Sequence, residues 1–330
     1  MGAALGESGL KQRTRLGNAT LMIAANLPDI DVLVFATNTP AVSFRRGWTH
    51  GILAQALLPI ALTAVMLLVA RLRAARRQDA GQVRTPNAEP RTSNPGPQAP
   101  FDLRLTPTLA QDKPDSSSRV SVPWTLALAY IGVYSHVALD YLNTYGVRLL
   151  SPLDWRWFYG DAVFIVDPWL WATLGVGVWL ARRRRRPAPA RAALLVATSY
   201  VLIMVAAAQA ARDVVIDSWR QAHGTAPASV MVGPLPVVPF ARQVILDAGD
   251  HYETGRLSWP PATVQFADVI PKHRDAPEVA RAREAANIRA FLVWSRFPYW
   301  ELQPVPSGTR VTVRDMRFGD RFAASTIVPR

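Results

Sequence analysis

Residues 51–70 read GILAQALLPIALTAVMLLVA, twenty residues without a charge. At ~1.5 Å per residue, a helix of that length crosses the ~30 Å hydrocarbon core of a bilayer. Residues 192–211 contain a second run of this kind, ALLVATSYVLIMVAAAQA, between Arg191 and Arg212. Residues 123–145 (PWTLALAYIGVYSHVALDYLNTY) and 162–181 (AVFIVDPWLWATLGVGVWLA) are nearly as apolar, but carry His136, Asp140 and Asp167. Residues 16–39 are a fifth, weaker candidate, interrupted by Asn26-Leu27-Pro28-Asp29-Ile30-Asp31. The expected fold is a mainly α membrane protein, a bundle of about five transmembrane helices, followed by a C-terminal α+β extramembrane domain.

The chain has 330 residues, 37 Lys+Arg against 24 Asp+Glu, a formal charge of +13 and no cysteine. Without cysteine there is no disulfide, cysteine zinc site, iron–sulfur cluster or thiolate nucleophile. The basic excess first suggests nucleic acid or an anionic membrane surface, and its distribution decides between them. If the five spans alternate from an inside N-terminus, 18 Lys and Arg fall on inside segments and four on the outside connections, while the outer domain, counted from Arg212 with 15 basic against 12 acidic residues, is near balance. The inside group is Lys11, Arg13 and Arg15, the basic residues from Arg71 to Arg119, Arg182–Arg186 and Arg191; the outside four are Arg45, Arg46, Arg148 and Arg156. Membrane proteins show this asymmetry. The charge therefore reads as an orientation signal, the expected partners are membrane lipids, and nucleic acid is not expected. The first residues lack the apolar stretch of a signal peptide, and Gly6 stands where myristoylation needs Ser or Thr.

Four regions follow. Residues 1–71 hold the first two spans and residues 123–212 the other three. Between them, residues 72–122 contain seven prolines and no periodicity, so a flexible inside loop is expected. Residues 213–330 read as a small α+β domain on the outer face. Short β-rich runs at 229–238, 243–247, 252–259, 263–269 and 310–314 are punctuated by Gly, Pro and Asp. One helix is expected over 275–295, with Asp275 as N-cap and Pro277 in its first turn.

Ionisable residues at membrane depth cost several kcal/mol and are functional candidates. His136 and Asp140 are four apart on one helix face, and Asn143 continues that face. Such a pair suits a zinc-like ion, though a hydrogen bond between helices is an equally good reading of the spacing alone. Asp29 and Asp31 lie in the outer half of the first segment, where Pro28 breaks the helix ladder. His50 sits at the outer mouth of the second span, and Asp161 and Asp167 at the outer end of the fourth. The charge-derived topology brings all of these to one leaflet. That convergence fits a site in which metal activates water, with Asp29 or Asp161 accepting the proton. Plainer readings exist: Asp167 and Asp161 as helix N-caps, and Trp155, Trp157, Trp169 and Trp171 as an interfacial belt. His223, His251 and His273 read as surface residues. Phosphate-loop, serine-hydrolase and zincin motifs do not occur.

These motifs carry a resemblance. Leu27-Pro28-Asp29-Ile30-Asp31, Arg46-Gly47-Trp48-Thr49-His50, Ser135-His136 with Asp140, and Leu142-Asn143-Thr144-Tyr145-Gly146 resemble the bacterial membrane-bound metal-dependent hydrolases, some of them LexA-regulated. Arg156-Trp157-Phe158-Tyr159-Gly160-Asp161, Asp167-Pro168-Trp169 and Val232-Gly233-Pro234-Leu235-Pro236 look like the same family. The resemblance covers most of the chain except the Pro-rich loop. It implies a multi-pass inner-membrane protein, N-terminus cytoplasmic, and a hydrolase. Two departures stand out. Family members carry Thr-His just before a Gly-Ala-Ala-Leu-Gly stretch, whereas this chain reads Met1-Gly2-Ala3-Ala4-Leu5-Gly6. The histidine often found before Arg-Gly in the second motif is here Arg45. A fainter likeness to zinc phospholipase C and zinc-dependent nucleases favours phosphoester hydrolysis.

Residues and resemblance together give the expected site: Asp31, His50, His136 and Asp140 as ligands of a divalent metal, zinc or manganese, and Asp29 and Asp161 as catalytic carboxylates, second-tier ligands or proton acceptors. The substrate would be a phosphoester or a lipid. The competing expectations are an ion or proton transporter, and a non-catalytic envelope protein whose outer domain binds a partner.

Overall fold

The computed structural model describes residues 1–37, 44–82 and 120–330. Most of the expected Pro-rich loop, residues 83–119, lies outside them. The chain opens with α1 (Gly2–Glu7), a 3-10 turn (Leu10–Arg13) and α2 (Gly17–Ala24), then continues as a 3-10 helix, Leu27–Ala36. The two parts of the first expected span are bent by 51°. Pro28 stands at the break, where its ring cannot continue the helix ladder. After a short 3-10 turn, Trp48–His50, come α3 (Ile52–Gln82), α4 (Val122–Tyr141), α5 (Pro168–Arg184) and α6 (Ala188–His223).

Within α3, α4 and α6 the described residues give three helices long and apolar enough to cross a membrane, four if the bent pair counts as one span. The fourth expected span does not begin at 162, because the backbone N–H groups of Ala162 and Val163 are turned onto the Leu142 carbonyl. Its helix, α5, starts at Pro168 and has 17 residues. α3 runs on beyond the expected boundary at 71 as far as Gln82.

Small residues set how closely these helices pack. A Cβ on Gly132 of α4 would stand 2.4 Å from the Ala24 Cβ and 3.1 Å from the Ala25 nitrogen. Only glycine lets the end of α2 lie this close. Leu16, Ala24, Leu62, Met66, Ala129, Val133 and Val137 close the core of this part.

α6 has 36 residues, about 54 Å of helix, far more than a bilayer core needs. Its last third leaves the apolar run and packs Ala211, Val215 and Trp219 on Val230, Val244, Leu246 and Leu257. Those residues belong to an antiparallel meander of β1 (Ser229–Pro234), β2 (Ala241–Asp247), β3 (His251–Ser258) and β4 (Thr263–Pro271). A second sheet, β5 (Pro298–Val305), β6 (Gly308–Asp315) and β7 (Gly319–Val328), is covered by α7 (Pro277–Ala282) and α8 (Ala286–Trp294). In β6, Val311, Val313 and Asp315 are buried while the residues between them are not, the period of a strand with one covered face.

One continuous helix over 275–295 does not form. Val279 and Ile288 are nine residues apart, which on a single helix puts them on opposite faces at ~100° per residue. Both are fully buried in the same cluster, so the chain breaks between α7 and α8 to deliver them there. Nor does Asp275 cap: Ala276 occupies that position, with no side-chain bond. β5 and β7 were unexpected. They are the edges of their sheet, where Pro298 and Pro304 are tolerated.

Candidate functional site

The C-terminal end of α4 is where the polar residues collect. His136 and Asp140 share a face of α4, and the end of α2 lies against Gly132 one turn earlier. This close approach puts the Ala25 carbonyl, free because α2 ends at Ala24, 2.8 Å from His136 Nδ1. A carbonyl only accepts, so Nδ1 carries the proton and donates, leaving the Nε2 lone pair facing the carboxylates in the neutral ring.

His50 is held the same way by different atoms. Thr49 Oγ1 donates to Asp31 Oδ2 at 2.9 Å and lies 2.9 Å from His50 Nδ1. The hydroxyl proton is committed to Asp31, so Thr49 accepts from Nδ1–H, and His50 too presents Nε2. His50 is fully buried. Gln55 donates to its carbonyl at 2.6 Å, and the Ser151 carbonyl would lie 2.4 Å from any Cβ on Gly51.

The two imidazoles meet two carboxylates. His50 Nε2 is 3.1 Å from Asp140 Oδ2, and His136 Nε2 is 3.5 Å from Asp140 Oδ2 and 3.6 Å from Asp29 Oδ2. One ligand atom each from Asp29, His50, His136 and Asp140 lies within 4.8 Å of every other. Asp29 Oδ1 and His136 Nε2 are buried with no hydrogen-bond partner. Such an orphan costs about 1–3 kcal/mol, and the orphaned His136 Nε2 faces the Asp29 carboxylate through its Oδ2. Converging lone pairs of two imidazoles and two carboxylates are the donor set of a divalent cation such as zinc, so these residues fit one.

Arginines surround the four. Arg46, itself buried, donates to Asp140 Oδ1 at 2.9 Å and Asn143 Oδ1 at 3.0 Å, and its backbone N–H donates to Asp31 Oδ2 at 2.7 Å. Arg45 Nε is 3.6 Å from Asp31 Oδ1, and its Nη2 is 3.8 Å from Asp29 Oδ1.

Several expected roles are thereby redistributed. Asp29, expected as a second-tier ligand or proton acceptor, is one of the four; Asp31, expected as a ligand, stands one layer out, occupied by Arg46, Thr49 and Arg45. Asn143 does not extend the helix face, since α4 ends at Tyr141; it folds back in a turn, accepting from the Tyr145 N–H at 2.8 Å. Asp161 is apart from the cluster. Its carboxylate takes both bonds of Arg296, at 2.8 and 3.1 Å, and its backbone has φ 48°, which is not an N-cap conformation. Asp167 is the N-cap of α5, accepting from Trp169 and Leu170 N–H at 3.0 Å, with Tyr200 on its other oxygen. None of His223, His251 and His273 joins the four; His223 stacks on Trp219 with Glu253 3.5 Å away, and His251 bonds Asp250.

The C-terminal domain reaches the same end of the bundle. Tyr145 is buried in its core beside Trp294, and Trp294 Nε1 donates to the Tyr145 carbonyl at 3.2 Å. Arg317 is fully buried against Asp315 (2.8 Å) and donates to the Thr144 carbonyl at 2.9 Å. Burial alone would raise the Asp315 carboxyl; Arg317 outweighs it and holds the group below the usual carboxylate range. Arg46 lies over the Tyr145 ring, 4.8 Å from its centre. The roles of Arg46, Thr49, Arg317 and the Ala25 carbonyl were missed from sequence. Arg46 and Thr49 left a trace there, as members of the motif that ends in His50.

A helical part built to cross a membrane, carrying a His/Asp cluster at the end where a β-sheet domain sits, defines a membrane protein with a built polar site. The model of the YdjM inner membrane protein family matches residues 1–211, nearly two thirds of the chain, and the chain belongs to that family. The match ends at the level where α6 first touches the meander. Comparison with curated proteins gives no match, and neither does comparison with solved structures.

Proposed function

We propose that this protein is a membrane-bound metal-dependent hydrolase acting on a phosphoester, with Asp29, His50, His136 and Asp140 holding the metal. The observation that carries the reading is the pair of Nε2 atoms, each released by a committed Nδ1 donor, facing two carboxylates inside 4.8 Å. Zinc or manganese bound there would act as a Lewis acid and bring the pKa of a bound water towards ~7.

The chain's own groups divide the remaining work. Asp31 fixes Thr49, which fixes the tautomer of His50, and second-layer contacts of this kind commonly decide metal affinity. Arg46 holds Asp140 and Asn143 in register. Arg45 keeps a guanidinium beside Asp29 with only long contacts to carboxylates, suited to a phosphoryl oxygen. Asp29 is the most open of the four, with 43% of its side chain exposed, so substrate and solvent meet the site on its side. The flanking Ile30, Leu33 and Phe35 are exposed apolar residues, which favours an amphiphilic phosphoester whose hydrocarbon stays in the bilayer.

In the topology we propose, all five apolar segments are embedded and the N-terminus is cytoplasmic. The support is the charge asymmetry, with Lys11, Arg13, Arg182–Arg186 and Arg191 at the end of the bundle opposite the His/Asp cluster. The cluster and the α+β domain then face outward.

The test is metal content of the purified full chain after loading with zinc or manganese, alongside hydrolysis of phosphodiester and phospholipid substrates. Stoichiometric metal, lost in His50→Ala and His136→Ala together with turnover, is expected. Metal content unchanged by both substitutions would sink the proposal.

A further inference from the structure

At the end of the bundle away from the His/Asp cluster, five consecutive arginines close α5. They do not act alike. Arg182 donates to Glu7 at 2.9 Å, and Arg183 lies over the Trp179 ring, 5.2 Å from its centre. α5 stops at Arg185, which takes a left-handed turn (φ 52°), and the Arg186 N–H returns to the Ala181 carbonyl at 3.1 Å. Among the described residues no carboxylate pairs with Arg184, Arg185 or Arg186.

These unpaired cations border a groove. α5 and α6 touch where Gly177 meets Ala193, a Cβ on Gly177 standing 2.2 Å from that of Ala193. Beside this contact the helices part into a groove of about 770 Å3 lined by Ala172, Val176, Ala192 and Val196, with Arg184 and Arg186 at its end. Arg186 also lines a second cavity of about 300 Å3, with Lys11, Arg182 and Arg185. An apolar channel along two helices that ends in guanidinium groups is complementary to one kind of molecule, a hydrocarbon chain attached to a phosphate.

We propose that this groove seats an acyl chain of an anionic phospholipid, with the lipid phosphate held by Arg184 and Arg186. Basic pockets between membrane helices bind anionic headgroups in this manner. The selectivity follows from what the lining lacks. A zwitterionic lipid brings an ammonium that needs an acceptor, and the carboxylate in the adjoining cavity, Glu7, is already engaged by Lys11 and Arg182. Phosphatidylglycerol-type headgroups bring no ammonium. The site is independent of the hydrolase reading, being at the opposite end of α5 from Asp167 and the sheet domain.

The experiment uses the full chain purified in nanodiscs of equimolar phosphatidylglycerol and phosphatidylethanolamine, with retained lipid counted by native mass spectrometry. Wild type should retain phosphatidylglycerol in preference, and Arg184→Gln/Arg186→Gln should lower that preference by about tenfold. Ala192→Phe, which fills the groove and leaves every charge, should abolish retention of the chain. Arg183→Gln removes a single charge from the neighbouring stacked position and should leave the preference intact, while Arg184→Gln alone should already lower it. Millimolar glycerol phosphate should not displace the lipid. Equal retention of both lipids by wild type would overturn the proposal, as would equal losses in Arg183→Gln and the double variant. Displacement by glycerol phosphate would show a free-phosphate site instead. Unchanged thermal unfolding of the variants, whose arginines are exposed, separates binding loss from misfolding.

Discussion

Arg317, in the turn between β6 and β7, donates to the carbonyl of Thr144, three residues past the end of α4. The sheet domain thus grips the segment that ends the site helix, and Arg46 sits between the two, on the Tyr145 ring and on Asp140. Domain and site are one mechanical unit at this point.

Removing Arg317 should therefore be costly. Arg317→Met leaves Asp315 charged and buried, which destabilises by about 3–5 kcal/mol, whereas Arg317→Met with Asp315→Leu should recover much of that loss. Tryptophan fluorescence in a urea series reads both, since Trp294 packs on this pair. The pH sign follows from Asp315. Its folded carboxyl is held below the ordinary range, so its stabilisation is present above about pH 4 and is lost as pH falls further. A urea midpoint insensitive to acid in wild type would contradict this.

Gly132→Ala adds a methyl group where the Ala24 Cβ is 2.4 Å away. The end of α2 must retreat and take the Ala25 carbonyl from His136. We expect a loss of about 1–3 kcal/mol from overpacking, with weakened metal retention. Retention at the wild-type level would show that the Ala25 contact does not matter for binding.

Thr49→Val keeps the shape and removes the hydroxyl between His50 and Asp31. Metal affinity should drop roughly 10–100-fold, as for other supporting contacts, while Thr49→Ser should stay near wild type. Competition with a chelator of graded strength measures both, and equal affinities in the two variants would exclude the relay.

Asp29→Asn and Asp161→Asn separate two carboxylates with different surroundings. The first removes a member of the cluster and should lower metal content and turnover. The second breaks the Arg296 pair, costing about 1.5–3 kcal/mol of stability with metal content unchanged. Reversed results would move the site towards the sheet domain.

Much of this arrangement was legible in the sequence, in graded degree. The uncharged runs at 51–70 and 192–211 announced α3 and the membrane part of α6, and the four-residue spacing of His136 and Asp140 placed both on one face. The exchange between Asp29 and Asp31 was not legible, because it depends on the 3-10 form of residues 27–36. Two positions along a 3-10 helix differ by ~240°, so both carboxylates cannot face the same point, and spacing alone does not say which one does. Asp161 depended on Arg296, 135 residues away, and no local pattern signals such a pair. The Ala25 carbonyl is backbone and leaves no mark in composition at all. Beyond 212, strands with one covered face were recognisable, whereas β5 was hidden by Pro298 and Pro304, and β7, with Ala323, Ala324, Ser325 and Thr326 in a row, carried too little alternation.

The length of α6 has one more consequence. From the apolar run to the residues that pack on the meander α6 stays helical, so the sheet domain rests against a rigid mast, and the chain first leaves the helix at Gly224, beyond that contact. A torque applied to the sheets reaches the foot of that mast, where α6 begins beside the arginine turn, and a tilt imposed by the lipid there is carried back to the domain.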